Sequence, residues 1–199
     1  MRYYPAYRRV SDSTFAAELA TCQIFENNRK MSLEVSRLKN VKMLVLDVDG
    51  VLTDCRIFLD ANGEWKRFFS IRDGVGLKFL KDAGYKLAVI TGTKAVDIQA
   101  RVKVLGIHYF YEGAMDKGPS FENLVKDSGL KPQEMAYVGD DVFDIPLMEK
   151  VCFAATVPEA VEEVVKIAHY VTKRPGGNGA VREVCDYILK YGALAQGAP

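Results

Sequence analysis

Apolar residues in this chain form short runs that alternate with segments of helical spacing. Residues 41–48 are apolar except at Lys42 and Asp47, which predicts a strand buried on both faces. Similar runs predict strands at 86–90, 108–111, 135–138, 152–155 and 170–172. Helical spacing and helix-boundary residues predict helices at 74–82, 95–105, 120–126, 145–150, 158–167 and 180–191. This alternation predicts an α/β fold with a three-layer, Rossmann-like parallel sheet.

Two segments lie outside the alternation. Residues 56–59 and 65–69 predict a β-hairpin, because the intervening Asn62-Gly63 pair suits the positive φ angles of a tight turn. Residues 1–40 contain seven basic and four acidic residues, and we interpret them as an N-terminal accessory arm with a short amphipathic helix at 13–25. We therefore expect an arm at 1–40 and one domain at 41–199.

Composition narrows the class of protein. The 199 residues suffice for one full-sized domain, and the formal charge of +1 does not favour a nucleic-acid partner. No run approaches the roughly 20 apolar residues of a membrane span, so we expect no membrane partner. The four cysteines are widely spaced without a CxxC pair, which indicates free thiols and a cytoplasmic location.

Polar residues are concentrated where the predicted strands end, which is the edge at which open parallel sheets bind ligands. Four strand ends contribute Asp47 and Asp49, Thr91 and Gly92, Lys117, and Asp140 with Asp141 and Asp144.

These residue types suit phosphoryl transfer. Asp47 and Asp49 project to the same side of an extended strand end, so one can act as nucleophile and the other as proton donor. Mg²⁺ prefers a few carboxylate oxygens together with a phosphate oxygen, and Asp47 and Asp140 can supply the carboxylates. Lys117 would neutralise the remaining charge. The Thr91 hydroxyl and the Gly92 amide can donate to phosphoryl oxygens.

The segments 47–54, 90–92, Lys117 and 139–144 resemble the four ordered motifs of the haloacid dehalogenase superfamily. The resemblance implies a magnesium-dependent phosphatase in which Asp47 forms an aspartyl-phosphate and Asp49 acts as acid and then base. It also implies that the backbone carbonyl of Asp49 faces the metal. Asp144 is expected to order the ligands around the metal, and Asp141 is a weaker candidate than Asp140.

The chain has no room for a large cap domain between these motifs, so we expect the hairpin at 56–69 to close the site. Together with residues 69–74 and 174–183, this resembles the 3-deoxy-D-manno-octulosonate 8-phosphate phosphatases. The resemblance implies a homotetramer acting on a sugar phosphate in lipopolysaccharide biosynthesis. Arg72 and Arg174 are then candidate ligands for the sugar-acid carboxylate, although either could instead pair with a structural acid.

The chain departs from that family after the second motif, where Thr93-Lys94-Ala95 replaces the usual Arg at the first position. Cys55 likewise replaces a common glycine. A nine-carbon sugar-acid (nonulosonate) phosphate is therefore an alternative substrate, and a noncatalytic tetrameric scaffold is an alternative of another class. A mutase is disfavoured because it needs a cap that excludes water.

Overall fold

The computed structural model describes residues 32–194, which form one parallel sheet covered by helices on both faces. A helix at 32–38 (α1) precedes the sheet. The strands are β1 (Met43–Leu46), β4 (Lys86–Thr91), β5 (Tyr109–Glu112), β6 (Met135–Val138), β7 (Phe153–Thr156) and β8 (Tyr170–Val171), in the spatial order β5-β4-β1-β6-β7-β8. The helices are α2 (Ile71–Asp82), α3 (Val96–Leu105), α4 (Gly118–Ser128), α5 (Ile145–Met148), α6 (Glu162–Ile167) and α7 (Ala180–Tyr191). The predicted three-layer α/β fold is confirmed.

Side chains of β1 alternate between two apolar cores. Leu44 and Leu46 pack with residues of α2, α3 and α7, whereas Met43 and Val45 pack with residues of α4, α5 and α6. All four β1 side chains are fully buried, as expected of a central strand in a parallel sheet. The two cores therefore fix the end of β1, where the predicted chemistry begins.

The hairpin consists of β2 (Phe58–Leu59) and β3 (Trp65–Lys66), which pair antiparallel. It is shorter than predicted, because the residues after Lys66 leave the ladder. The Arg67 side chain turns towards Asp49, and Phe69 packs against the core. Within residues 32–194, the hairpin is the only pair of strands outside the main sheet.

Helix α2 begins at Ile71 and not at the predicted Gly74. Ser70 is its N-cap, and the Ser70 hydroxyl accepts a hydrogen bond from the backbone N–H of Asp73. Gly74 and Gly76 obscured this start because glycine disfavours helices. A Cβ at Gly76 would lie 2.8 Å from Arg182 Cδ, so glycine permits α2 and α7 to pack closely. Helix α6 begins later than predicted, since residues 158–161 precede its first turn.

The end of the expected arm packs against the domain. Leu38 of α1 is buried in the core, and Tyr187 of α7 donates a hydrogen bond to Glu34. The helix predicted at 13–25 lies outside the described residues. Among residues 32–194, no helix has the length and apolar character needed to cross a membrane.

Candidate active site

Asp47 follows β1 directly and remains tied to the sheet, because its backbone N–H donates to Val138 O at 3.0 Å. This hydrogen bond fixes the carboxylate at the carboxyl edge of the sheet. Lys117 comes from the start of α4, and its Nζ lies 2.9 Å from Asp47 Oδ1. Both side chains are buried. The predicted nucleophile and its predicted cationic partner are therefore in direct contact.

Asp144 is fully buried and connects the groups around Asp47. Its Oδ1 accepts from Lys117 Nζ and from the Tyr137 hydroxyl, both at 2.6 Å. Its Oδ2 accepts from the backbone N–H groups of Asp140 and Asp141 at 2.9 and 3.2 Å. Burial, together with the Asp144 charge, raises the pKa of Tyr137 well above its usual value, so its hydroxyl stays a donor. Asp144 thus holds both Lys117 and the loop that carries Asp140.

Three carboxylates are arranged as a metal site would require. Asp47, Asp140 and Asp144 each place one oxygen within 4.8 Å of the others. Asp140 Oδ1 is buried without a hydrogen-bond partner in the described part of the chain. Gly50 makes room for Asp140, since a Cβ there would lie 1.9 Å from Asp140 Oδ2. An oxygen-lined site with an unpartnered carboxylate oxygen fits a hard divalent cation.

The charges of this cluster also favour a cation. Burial, followed by the charge of Asp144, raises the pKa of Asp47 to about 7 despite the opposing effect of Lys117. Burial and the charges of Asp144 and Asp141 likewise raise the pKa of Asp140 to about 7. Each carboxylate resists ionisation because water has been removed and negative charges are close. A bound cation would offset both effects.

Asp49 lies on the more open side of the cavity and is held by residues of the hairpin and of the loop after β4. Arg67 Nε donates to Asp49 Oδ1 at 2.5 Å, and Arg67 Nη2 donates to Asp49 Oδ2 at 3.2 Å. The Thr93 hydroxyl donates to the same Oδ2 at 3.1 Å. Asp97 binds the other side of the guanidinium, at 3.3 and 3.4 Å from Arg67 Nη1.

One cavity of about 160 Å³ brings together six of the predicted site residues. These are Asp47, Asp49, Thr91, Gly92, Lys117 and Asp140. Asp141 also lines the cavity, whereas Asp144 does not. The Thr91 hydroxyl accepts from the backbone N–H of Thr93 at 3.2 Å, which leaves its own proton available to a ligand.

Arg72 and Arg174 are not brought to this cavity within one chain. They line a separate cavity of about 550 Å³ with residues of α7 and of the loop before it. Within residues 32–194, neither guanidinium lies within ion-pair distance of an acidic side chain. The geometry therefore does not support the structural-acid alternative for either arginine.

Sequence reasoning missed Arg67, Asp97 and Tyr137. Arg67 lies in a short hairpin without periodic pattern, and Tyr137 is one more apolar-looking residue of a buried strand. The available signal was Thr93, which stands where the resemblance leads us to expect an arginine and whose hydroxyl donates to Asp49.

Cys55 has the left-handed backbone conformation, with φ of 62°. That conformation favours glycine and strains other residues. A glycine, which the resemblance leads us to expect at this position, would adopt the turn without strain, whereas Cys55 adopts it at a cost of roughly 1 kcal/mol.

Comparisons with known proteins agree with this geometry. Residues 69–151 match the family model described as a haloacid dehalogenase-like hydrolase. The chain is 41% identical over 186 residues to the 3-deoxy-D-manno-octulosonate 8-phosphate phosphatase of Escherichia coli, covering 93% of this chain and 94% of that protein.

Two solved structures share the fold at substantial identity. The 3-deoxy-D-manno-octulosonate 8-phosphate phosphatase from Yersinia pestis is 38% identical with a TM-score of 0.79, covering 83% of this chain and 90% of that chain. The enzyme of the same name from Moraxella catarrhalis, in complex with magnesium, phosphate and KDO, is 37% identical with a TM-score of 0.77, covering 79% and 91%. The chain described here therefore belongs to the haloacid dehalogenase-like hydrolases and, among them, to the family of the 3-deoxy-D-manno-octulosonate 8-phosphate phosphatases.

Proposed function

We propose that this protein hydrolyses the phosphomonoester of 3-deoxy-D-manno-octulosonate 8-phosphate through an aspartyl-phosphate on Asp47. One observation carries the proposal: the cavity at the end of β1 contains a buried carboxylate in contact with Lys117, next to an acidic cluster that fits a metal. The 41% identity to an enzyme with this named activity supports the substrate.

The reaction divides into two balanced steps. First, an oxygen of Asp47 attacks phosphorus, the bond from phosphorus to the sugar oxygen breaks, and Asp49 gives its proton to the leaving oxygen. Second, a water oxygen attacks the phosphorus of the aspartyl-phosphate, and Asp49 takes a proton from that water. The bond between phosphorus and Asp47 breaks, so that inorganic phosphate leaves and both carboxylates return to their first state.

Other groups of the chain bind and stabilise the phosphoryl group. Lys117 and the hydroxyl of Thr91 lie on the cavity wall beside Asp47, where they can bind phosphoryl oxygens as negative charge redistributes. The backbone amide of Gly92 is proposed as a further donor. A Cβ at Gly92 would lie 2.8 Å from Met115 Sδ, so the Met115 side chain would have to shift to admit a larger residue beside this amide.

Mg²⁺ is the cofactor of this phosphatase family, and we propose that Asp47, Asp140 and the backbone carbonyl of Asp49 hold it. When bound there, it would reduce the repulsion between the Asp47 carboxylate and the phosphate oxygens. Asp144 is proposed to orient this site and not to ligate, because both its oxygens already accept two hydrogen bonds. The magnesium in the related Moraxella catarrhalis structure supports the choice of metal.

The decisive experiment is phosphate release from 3-deoxy-D-manno-octulosonate 8-phosphate with Mg²⁺, comparing the native protein with Asp47→Asn. We expect the variant to lose at least about 10⁴-fold in kcat, since its amide cannot form the covalent intermediate. Asp82→Asn is a matched control, because Asp82 is an exposed acid paired with Lys78 on α2. Native rates in Asp47→Asn would overturn the nucleophile assignment, and an inactive native protein would favour the noncatalytic scaffold.

A nonulosonate phosphate is the second candidate substrate, and Thr93 is the observation that favours it. The Thr93 hydroxyl donates a hydrogen bond to Asp49, and Thr93 stands where the resemblance leads us to expect an arginine. Including a nine-carbon sugar-acid phosphate in the same screen separates the candidates. A higher kcat/KM for it than for the eight-carbon compound would reassign the substrate while retaining the phosphatase.

We also propose a homotetramer in which exposed hairpins meet. Large apolar side chains are exposed on and beside the hairpin, namely Ile57, Phe58, Leu59, Trp65, Phe68 and Ile71, and such a patch marks an interaction surface. Phe68→Asp should convert the tetramer to smaller species in light scattering. Leu33→Asp, at an exposed apolar site on α1, should leave the mass unchanged. A monomeric native protein would contradict the assembly.

In such a tetramer we propose that Arg72 and Arg174 bind the substrate carboxylate at a neighbouring copy's site, since neither has an acidic partner within residues 32–194. Arg72→Ala and Arg174→Ala should raise KM for the sugar-acid phosphate and leave KM for p-nitrophenyl phosphate unchanged. Equal effects on both substrates would exclude recognition of the carboxylate. A cytoplasmic location is proposed as well, and the free thiols of Cys55, Cys152 and Cys185 are consistent with it.

A further inference from the structure

Arg67 forms an ion pair with Asp49, and the proposed mechanism gives Arg67 no role. Its guanidinium binds both oxygens of Asp49 through Nε and Nη2. This is the two-point geometry in which arginine fixes the plane of a carboxylate, which a lysine cannot reproduce.

Arg67 is itself held in place. Its remaining nitrogen, Nη1, donates to both oxygens of Asp97, at 3.3 and 3.4 Å. Asp97 is anchored at the start of α3, because the backbone N–H of Ile98 donates to Asp97 Oδ1 at 2.9 Å. The hairpin residue is thereby connected to a core helix, and the core helix to Asp49.

The exposures of the two side chains indicate which one meets the substrate. The Arg67 side chain is 6% exposed, whereas the Asp49 side chain is 30% exposed. Asp49 lines the catalytic cavity and Arg67 does not. Arg67 therefore acts on the reaction through Asp49.

We propose that Arg67 is the positioning residue for Asp49, and that it couples the hairpin to proton transfer at the leaving oxygen. This inference rests on the proposed function, in which Asp49 is the acid and base. Asp49 Oδ1 accepts the short bond from Arg67 Nε, so Oδ1 is fixed towards the hairpin. Asp49 Oδ2 accepts only the longer bonds from Arg67 Nη2 and Thr93. The Thr93 hydroxyl can rotate to accept instead of donate, which frees Oδ2 to carry the proton.

Because Asp49 acts as an acid, loss of its positioning can be distinguished from a general structural defect by comparing two substrates. A sugar alkoxide needs a proton as it leaves, whereas p-nitrophenolate is a stable anion that leaves without one. The quantity kcat/KM reports on the steps up to transfer of the phosphoryl group to Asp47. Loss of a positioned acid should therefore reduce kcat/KM for the sugar phosphate and spare that for p-nitrophenyl phosphate.

The experiment compares Arg67→Ala, Arg67→Lys, Asp49→Asn and the double variant with the native protein, using 3-deoxy-D-manno-octulosonate 8-phosphate and p-nitrophenyl phosphate. We expect Arg67→Ala to lower kcat/KM on the order of 10²-fold for the sugar phosphate and less than about threefold for p-nitrophenyl phosphate. Arg67→Lys should recover only a small part of the loss, and added guanidinium should restore activity to Arg67→Ala. The double variant Arg67→Ala, Asp49→Asn should lose no more kcat/KM for the sugar phosphate than Asp49→Asn alone, because both substitutions affect the same step.

Lys66→Ala is the matched control, because the neighbouring Lys66 pairs with Glu64 and Asp60 inside the hairpin. We expect it to keep native kcat/KM for both substrates. The positioning role would be overturned if Arg67→Ala reduced kcat/KM equally for both substrates. It would also be overturned if the reductions in kcat/KM were additive in the double variant. If Asp49→Asn itself spares the sugar phosphate, the proposed acid is wrong. If Asp49→Asn shows the selective loss and Arg67→Ala does not, only the Arg67 inference fails.

Discussion

The two ends of the parallel sheet satisfy their polar groups in opposite ways. At the amino ends of β4 and β7, His108 and His169 each use Nδ1 to accept a backbone N–H, from Leu87 at 3.0 Å and from Ala154 at 2.9 Å. At the carboxyl ends, Asp47, Asp140 and Asp144 lie close together, and Asp47 and Asp144 both pair with Lys117. The polar groups at the amino end are satisfied by neutral hydrogen bonds. The clustered carboxylates at the carboxyl end can instead bind a cation.

Burial shifts the pKa values at both ends towards the neutral form, yet with different consequences. Desolvation lowers the pKa of His108 and of His169, so the imidazoles stay neutral and structural. Desolvation, followed by the charge of Asp144, raises the pKa of Asp47 and Asp140 to about 7, so a bound cation would stabilise the ionised carboxylates. The same desolvation therefore keeps the imidazoles at the amino end in a structural role and makes the carboxyl end a candidate functional site.

Removing Asp144 should produce the largest effect, because four donors lose their acceptor. We expect Asp144→Ala to lower the free energy of unfolding by about 3–5 kcal/mol. Displacement of Lys117 and Asp140 should also lower kcat/KM by at least about 10²-fold. Urea denaturation in EDTA and steady-state kinetics measure the two effects.

Asp82→Ala provides the control, since Asp82 forms only an exposed pair with Lys78 and should change stability by less than about 0.5 kcal/mol. If Asp144→Ala were more stable than the native protein, repulsion among the carboxylates would outweigh the hydrogen bonds. The carboxyl end would then not be organised by Asp144.

The sequence predicted the carboxyl end far better than the groups that support it. Asp47, Asp49, Thr91, Lys117 and Asp140 could be found because each follows a strand whose apolar run is unmistakable, and parallel strands end at one edge. Tyr137 and Asp144 together could not be foreseen as a pair, since their contact depends on how the loop after β6 folds back.

The boundaries and the hairpin were less predictable for related reasons. The start of α2 was misplaced because Gly74 and Gly76 serve close packing, which overrides local helix propensity. Arg67 belongs to a three-residue segment that leaves the hairpin ladder, and no periodicity reports such a turn.

Magnesium should have the next largest effect, because the proposed metal site lies only at the carboxyl end of the sheet. At a free concentration 100-fold above Kd, Mg²⁺ should stabilise the protein by about 2.7 kcal/mol. For a chain of this size we expect Tm to rise by roughly 5–10 °C. Differential scanning calorimetry with EDTA or Mg²⁺ measures the shift.

Asp140→Asn should remove most of this increase in Tm, whereas substitution of His108 should leave it intact. An undiminished increase in Asp140→Asn would place the cation elsewhere. An increase that depended on His108 would show that the two ends of the sheet are energetically coupled, contrary to the comparison drawn above.

The smallest effect should come from the histidines, and it should have the sign of a lowered pKa. Between the folded pKa and the ordinary value near 6.5, the unfolded chain binds more protons than the folded chain. The stability contributed by His108 and His169 is therefore present at pH 7.5 and is lost as the pH falls towards 5.5. Protonation of Nδ1 removes one acceptor, so the loss should be up to about 1 kcal/mol for His169 and smaller for the exposed His108.

In the double variant His108→Asn, His169→Asn, the amide oxygen can still accept the backbone N–H without titrating. Subtracting the urea-derived stability of this variant from that of the native protein at each pH isolates the histidines from the carboxylates. A difference that is constant from pH 7.5 to 5.5 would mean that the imidazoles do not resist protonation, and that the amino end of the sheet is not maintained by neutral hydrogen bonds.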